Sequence, residues 1–241
     1  MVMICSDVFF SLCYRSLEDF TKGPQNIRAA PLTYAPIWPR IGLSSAQGAN
    51  QRYWTFNLNK SQEDRVDIFM ERMLRAAQLK VDLYEEVEAD KTAMGQAMGV
   101  VVLSSMAAGI GSIAKGGLGG GILFGTIAAL IGWYVWAYIT YLIGTKVLPE
   151  PQTKADHGEL LRTVGFSSAP GLIRIFGIIP GLTKIVFLIA SVWMLIAMVI
   201  AVRQALDYES TYRAVGVCLI GWVIQTLILV LLLSTLGGLA A

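Results

Sequence analysis

The chain has 241 residues, 15% of them charged, a net charge of +2 and a mean hydropathy of +0.58. An average soluble domain carries about 25% charged residues, so this length and composition argue against an ordinary water-soluble fold and leave too little charge for nucleic-acid binding. The three cysteines, Cys5, Cys13 and Cys218, lack metal-like spacing and form no disulfide framework. A single histidine, His157, rules out a histidine-based metal cluster within the chain. No catalytic residue, metal or cofactor is expected.

Residues 1–62 sustain neither helical nor strand periodicity. Met1–Leu12 is too short to span a bilayer, is interrupted by Asp7 and lacks the basic start and small-residue cleavage site of a signal peptide. Two readings stand for this segment: a poorly ordered or partner-folded tail, or a start placed too far upstream, with Met70 the alternative. From Glu63 the pattern changes. Val66, Phe69, Met70, Met73, Leu74, Ala77 and Val81 recur at three and four, while Arg72, Arg75 and Lys80 lie off that stripe. This predicts an amphipathic helix, resting either in the headgroup region with its bases near anionic lipid or on the cytoplasmic ends of a bundle. Asp82–Asp90 then carries five carboxylates in nine residues. With no nucleophile beside them they read as a hydrated turn or docking surface rather than a catalytic pair. Asp90 is placed to cap the helix that follows.

Four apolar runs then meet the length of about 20 residues that a helix needs to cross hydrocarbon: Met94–Ala114, Ile122–Ile143, Ile185–Val202 and Ala214–Leu236. A fifth, Leu160–Gly181, falls third in order and is less clean. A chain this small cannot bury five such helices in water. The expected fold is therefore all-α: a polytopic membrane bundle of five transmembrane helices over 93–241, preceded by an amphipathic and acidic cytoplasmic segment over 63–92. Short connections make successive helices antiparallel neighbours. Gly109–Ala114 and the glycine-rich 115–121 imitate nucleotide loops by letters alone, without the strand or the Gly-Lys-Ser/Thr ending such loops require. Lysine and arginine bias places the N-terminal segment in the cytoplasm and, with five spans, the C-terminus on the opposite side.

The third run holds the sequence's main irregularity. Only eleven residues separate Arg162 from Arg174, too few to cross about 30 Å. Pro170 removes a backbone donor, Ser167 and Ser168 can bond the carbonyls it frees, and Gly165, Gly171 and Gly177 allow neighbouring helices close. The prediction is a kinked helix surrounded by protein, with Arg162 and Arg174 snorkelling to opposite faces or pointing inward. The kink is either purely structural or lines a cavity open to lipid or solute; the candidate residues are Arg162, Gly165, Phe166, Ser167, Ser168, Pro170 and Arg174.

Two stretches resemble a known family. Asp82-Leu83-Tyr84 is similar to the D-L-Y motif of the Yip family of Ypt/Rab-interacting membrane proteins, and Gly165-Phe166 followed by Pro170 resembles that family's G-[Y/F]-x-x-x-P segment in the third span. The resemblance runs over roughly 66–238, and its wider wording is that of the bacterial branch. It implies a five-helix integral membrane protein with a cytoplasmic N-terminal region, here in a bacterial inner membrane. Glu85-Glu86 replaces the Gly-Pro that usually follows the D-L-Y, which weakens any implied GTPase contact. The expected function is a non-enzymatic scaffold or adaptor that organises membranes or binds partners through Asp82, Leu83, Tyr84, Glu85 and Glu86. The alternative is a transporter or lipid-handling protein working through the third run. Expected partners are membrane lipids, a membrane or peripheral protein and a second copy of the chain, with no nucleic acid.

Overall fold

A computed structural model describes residue 63 and residues 65–113 and 120–239. Residues 1–62 and most of the glycine-rich loop lie outside the described residues. Every described element is helical. Helix α1 covers 65–77 and α2 is Val81–Ala89. A short 3₁₀ turn, Lys91–Ala93, leads into α3, Met94–Gly111. Helix α4, Gly120–Leu142, widens into a π turn at Ile143–Val147. Then come α5, His157–Phe166, a 3₁₀ segment, Ala169–Ile178, α6, Thr183–Ala205, and α7, Thr211–Leu239.

The local chemistry of the ends is readable. The Asp90 carboxylate accepts from the backbone N–H of Thr92 at 2.9 Å and its hydroxyl at 2.6 Å, opening the first long helix as a capping aspartate does. Ile179–Leu182 closes as a turn, Leu182 N–H donating to the Ile179 carbonyl at 3.1 Å, with Pro180 second and Gly181 third at φ +88°. That is the position at which a type II turn requires glycine. Helix α6 ends with Asp207 in the left-handed region at φ 52°, and paired backbone bonds from Tyr208 to Arg203 and Asp207 to Gln204 satisfy its last carbonyls. The Arg203 side chain donates to the carbonyls of Tyr208 and Glu209, rather than across one helical turn to Asp207.

Four helical stretches are long and apolar enough to cross a membrane: Lys91–Gly111, Ile122–Val147, Thr183–Ala205 and Thr211–Leu231. They match four of the five runs. Large apolar side chains such as Leu123, Ile131, Leu188, Leu227 and Leu231 are exposed along them, which suits hydrocarbon as the surrounding solvent and not water. The chain is thus a multi-pass membrane protein, all-helical among the described residues. The third run differs from one kinked helix: it is ten residues of α-helix, a two-residue junction at Ser167 and Ser168, and ten residues of 3₁₀-helix. Pro170 lies at the start of the second piece, where its missing N–H has no intrahelical partner to lose. One core runs through both the spans and the segment before them: Met73, Ala76, Leu83, Tyr84 and Val87 pack in the same cluster as Ala97, Trp136, Phe166 and Val202.

The aromatic group of α4 divides by face. Trp133 and Trp136 are buried, their indole N–H groups donating to the Leu161 carbonyl at 3.0 Å and to Met198 Sδ at 3.3 Å. Tyr134 and Tyr138 face outward, and together with Tyr141 they stand edge-on to the His157 ring.

Candidate functional site

The helices that carry the two family-like stretches meet in space, bonded through residues 75 apart in the chain. Arg162, buried at 4% exposure, directs Nε to the Val87 carbonyl at 2.8 Å and Nη2 to the Glu88 carbonyl. These carbonyls belong to the last turn of α2, whose sequence has no basic residue there. A helix C-terminus carries partial negative charge and orphan acceptors, so a guanidinium from the third run completes the helix bearing Asp82-Leu83-Tyr84. Arg162 therefore points inward and towards α2.

Around this joint lie carboxylates in contrasting states. Burial pushes the Glu88 carboxyl up to about 7, with Asp207 and Glu159 adding to the shift and Arg162 opposing it. Asp82, Glu86 and Asp90 go the other way. Arg75 bonds Asp82 at 2.8 Å and Glu86 at 2.6 Å. Arg72 bonds Glu86 at 2.8 Å, Asp90 at 2.9 Å and the Gln96 side-chain oxygen at 2.9 Å. The hydrogen bond from Arg75 leads in holding Asp82 low, and those from Thr92 lead at Asp90. For Glu86 burial works against ionisation, but the two guanidinium groups bring the net shift downward.

The D-L-Y residues separate by role. Leu83 and Tyr84 are fully buried, and the Tyr84 hydroxyl has no hydrogen-bond partner among the described residues. Burial alone raises its pKa well above that of an ordinary phenol. Asp82 and Glu85 are exposed, Glu85 accepting from the Gln204 side-chain amide at 3.0 Å. Glu86 is half-buried in the ion-pair network.

In the third run, Arg162, Gly165, Phe166, Ser167, Pro170 and Arg174 are buried and Ser168 is half-buried. Ser167 Oγ donates to the Val164 carbonyl at 2.7 Å, taking up an acceptor near the break. Arg174, fully buried, donates from Nη2 to Ser191 Oγ at 3.0 Å and lies 5.3 Å from the centroid of the Phe187 ring. Both arginines point inward, one of the two arrangements expected for them.

The third run and α3 are held in register by small residues. A Cβ on Gly165 would stand 2.8 Å from that of Ala97; one on Gly171, 2.1 Å from Ser104 Oγ; one on Gly177, 3.0 Å from the Gly111 carbonyl. The partners step by seven along α3 and by six along the third run. Seven residues make about two α turns, and six make two turns of a 3₁₀-helix, so each stripe keeps to one face. The same order on both sides means that the third run lies alongside α3 and points the same way. Sequence spacing contained this signal, but reading it required knowing that the second half is 3₁₀. The bond between Arg162 and α2 left no local signal at all. A Cβ on Gly95, by contrast, would meet nothing within 4 Å, and one on Gly99 would meet the Phe69 ring of α1, so the small-residue pair at 95 and 99 does not join two spans.

A family model, the Yip1 domain, matches residues 85–233, more than half of the chain. The chain belongs to the Yip1 domain family. The match takes in Gly165, Phe166 and Pro170 and begins just after Asp82-Leu83-Tyr84, so the D-L-Y of this Yip1 domain protein lies at the edge of the matched stretch. No curated protein and no solved structure matches the chain.

Proposed function

We propose that this Yip1 domain protein is a non-enzymatic membrane scaffold or adaptor that presents α2 to a membrane or peripheral protein partner. Leu83 and Tyr84 serve as anchors in the core, and the surface a partner meets is the exposed edge formed by Asp82 and Glu85 beside the ion-paired Glu86. The observation that carries this reading is the Arg162 bond to the end of α2, which fixes a charged helix rigidly against the bundle. Preorganisation lowers the ordering cost of binding, so a small fixed patch recognises a partner better than a loose acidic tail does. The membrane part crosses five times, the third crossing being the broken run, with α1 and α2 on the cytoplasmic side and a bacterial inner membrane as the setting.

Photo-crosslinking in native membranes tests the proposal. A photoreactive residue at position 85 is expected to capture a discrete protein, either a partner or a second copy of the chain, and one at position 168 is expected to capture nothing discrete. Labelled lipid or solute recovered at position 168, with nothing at 85, would overturn the reading in favour of a lipid-handling or transport role.

A further inference from the structure

Helix α1 carries apolar side chains on two faces, one packed on the core and one exposed. Its inner side carries Met73 and Ala76, both buried, with Phe69 and Arg72 half-buried beside them. Its outer side carries Val66, Met70 and Leu74, four residues apart, exposed at 56%, 45% and 58%, with the exposed acids Asp67 and Glu71 along one edge of the stripe. Ile68 on the same helix and Val81 at the start of α2 are also exposed. An amphipathic helix on a water-soluble body hides such a stripe and shows its bases.

The contacts of α1 say what lies outside it. Phe69 packs on Gly99, and the indole of Trp193 donates to the Ala77 carbonyl at 2.9 Å. Both partners are inside membrane-crossing stretches: Gly99 is eight residues from the Lys91 end of its span and Trp193 twelve from the Ala205 end of its own. At 1.5 Å per residue these are about 12 Å and about 18 Å from the ends. Those ends lie on one side of the bundle, since Gly171 touches both Ser104 and Met194 while Gly165 touches Ala97 and Ser167 touches Met198. Helix α1 is therefore docked on the flanks of α3 and α6, not across their tips. Met98 and Leu103 of α3 and Val192 and Ile196 of α6 are exposed as well, so the stripe on α1 adds to an apolar surface on the same two helices.

We infer that α1 is an interfacial helix that sinks Val66, Met70 and Leu74 into the acyl boundary of the leaflet on its own side, and that it binds hydrocarbon and not anionic headgroups. The guanidinium groups of Arg72 and Arg75, which would otherwise draw α1 to acidic lipid, are engaged by Asp82, Glu86 and Asp90. The inference is independent of the partner proposed for α2: the stripe lies on another helix, and either can fail alone.

The test uses the full chain in liposomes, with Cys5, Cys13 and Cys218 replaced and single spin labels at positions 66, 70 and 74, with 85 on α2 and 151 in the loop before α5 as controls away from the stripe. All five positions are exposed, so the labels leave the core intact. Collision with oxygen, which concentrates in hydrocarbon, is compared with collision with a water-soluble nickel chelate. At 66, 70 and 74 the oxygen-to-nickel ratio is expected to exceed that at 85 and 151 several-fold, equally in phosphatidylcholine and in its mixture with phosphatidylglycerol. Equal ratios at all five positions would overturn the inference, because the stripe would face water. Exclusion of both reagents would overturn it in favour of cover by protein, whether residues 1–62 or a second copy. A high ratio that appears only with phosphatidylglycerol would overturn the claim that hydrocarbon governs the contact.

Discussion

Individual side chains here are tuned by what they face more than by their type. Arg162 makes two carbonyl bonds in a fork that lysine cannot reproduce, and hydrogen bonds to charged groups are worth about 1.5–3 kcal/mol. Arg162→Lys is expected to lose a few kcal/mol in denaturant titration of the purified protein, and Arg162→Met more, since it leaves two carbonyls without a donor. Glu88 gives a pH signature. Its folded carboxyl sits at about 7, above the ordinary 4.5. A raised acid binds its proton more tightly in the folded state, so its contribution is full below about 4.5 and is lost as pH rises through about 7. Asp82, Glu86 and Asp90, all lowered, contribute above their ordinary range and lose that contribution only in stronger acid. Between pH 5 and 8 the apparent Tm of the wild type is expected to fall relative to that of Glu88→Gln. A difference that stays constant over that range would show that Glu88 titrates normally.

At the scale of elements, the third run depends on matching two helix types. From Ala97 to Gly111, fourteen residues of α-helix cover about 21 Å, and twelve residues from Gly165 to Gly177 cover the same length because the 3₁₀ half rises about 2.0 Å per residue. One alanine inserted between Ser168 and Ala169 would turn everything beyond it by a third of a turn, swinging Gly171 and Gly177 off α3 and Arg174 away from Ser191. Its apparent Tm is expected to drop far more than that of the same insertion at 152–153, in the loop before α5. Gly111→Ala probes the contact directly: its Cβ would stand 1.9 Å from the Arg174 carbonyl oxygen, a backbone atom that cannot swing aside. A loss of about 1–3 kcal/mol is expected from such overpacking. Gly95→Ala, with open space around it, should gain about 0.5–1 kcal/mol from helix propensity. Apolar runs of about 20 residues were legible in the sequence because hydrocarbon imposes one length on every crossing. The break at Ser167-Ser168 was legible as irregularity, since Pro170 and the serines are local signals. The direction of Arg162, the burial of Leu83 and Tyr84 and the outward turn of Val66, Met70 and Leu74 were not, because each depends on which distant element arrives beside it. The helical spacing of Val66, Met70 and Leu74 looks the same whether the stripe meets protein or lipid.

For the whole molecule, the broken run sets the parity of the crossings. Counting only the four long apolar helices would bring both ends of the membrane domain to one side. The third run argues for a fifth crossing, because a segment that follows α3 from the level of Ala97 to that of Gly111 traverses the depth that α3 does. Helix α6 then returns, Met194 lying level with Ser104 and Met198 with Ser167, and α7 leaves again. On the proposed five-crossing arrangement, hydropathy alone passes over this segment because its polar groups are spent inside: Arg174 on Ser191, Ser167 on Val164, Thr183 on the Gly177 carbonyl at 2.7 Å. Such a segment is tolerated at membrane depth where its polar groups are satisfied, and α3 and α6 flank this one while Ile175 and Phe176 are exposed on its open side, so it is not surrounded by protein as the sequence suggested. A pair of reporters, one active only in the cytoplasm and one only outside it, fused after Ala241 in separate strains, reads the parity. The outside reporter alone is expected to be active. If Arg162 and Arg174 are both replaced by leucine, the third run becomes more apolar without changing the number of crossings, so the same reporter should stay active. Activity of the cytoplasmic reporter in the parent protein would mean four crossings, with the third run re-entering on the side from which it came.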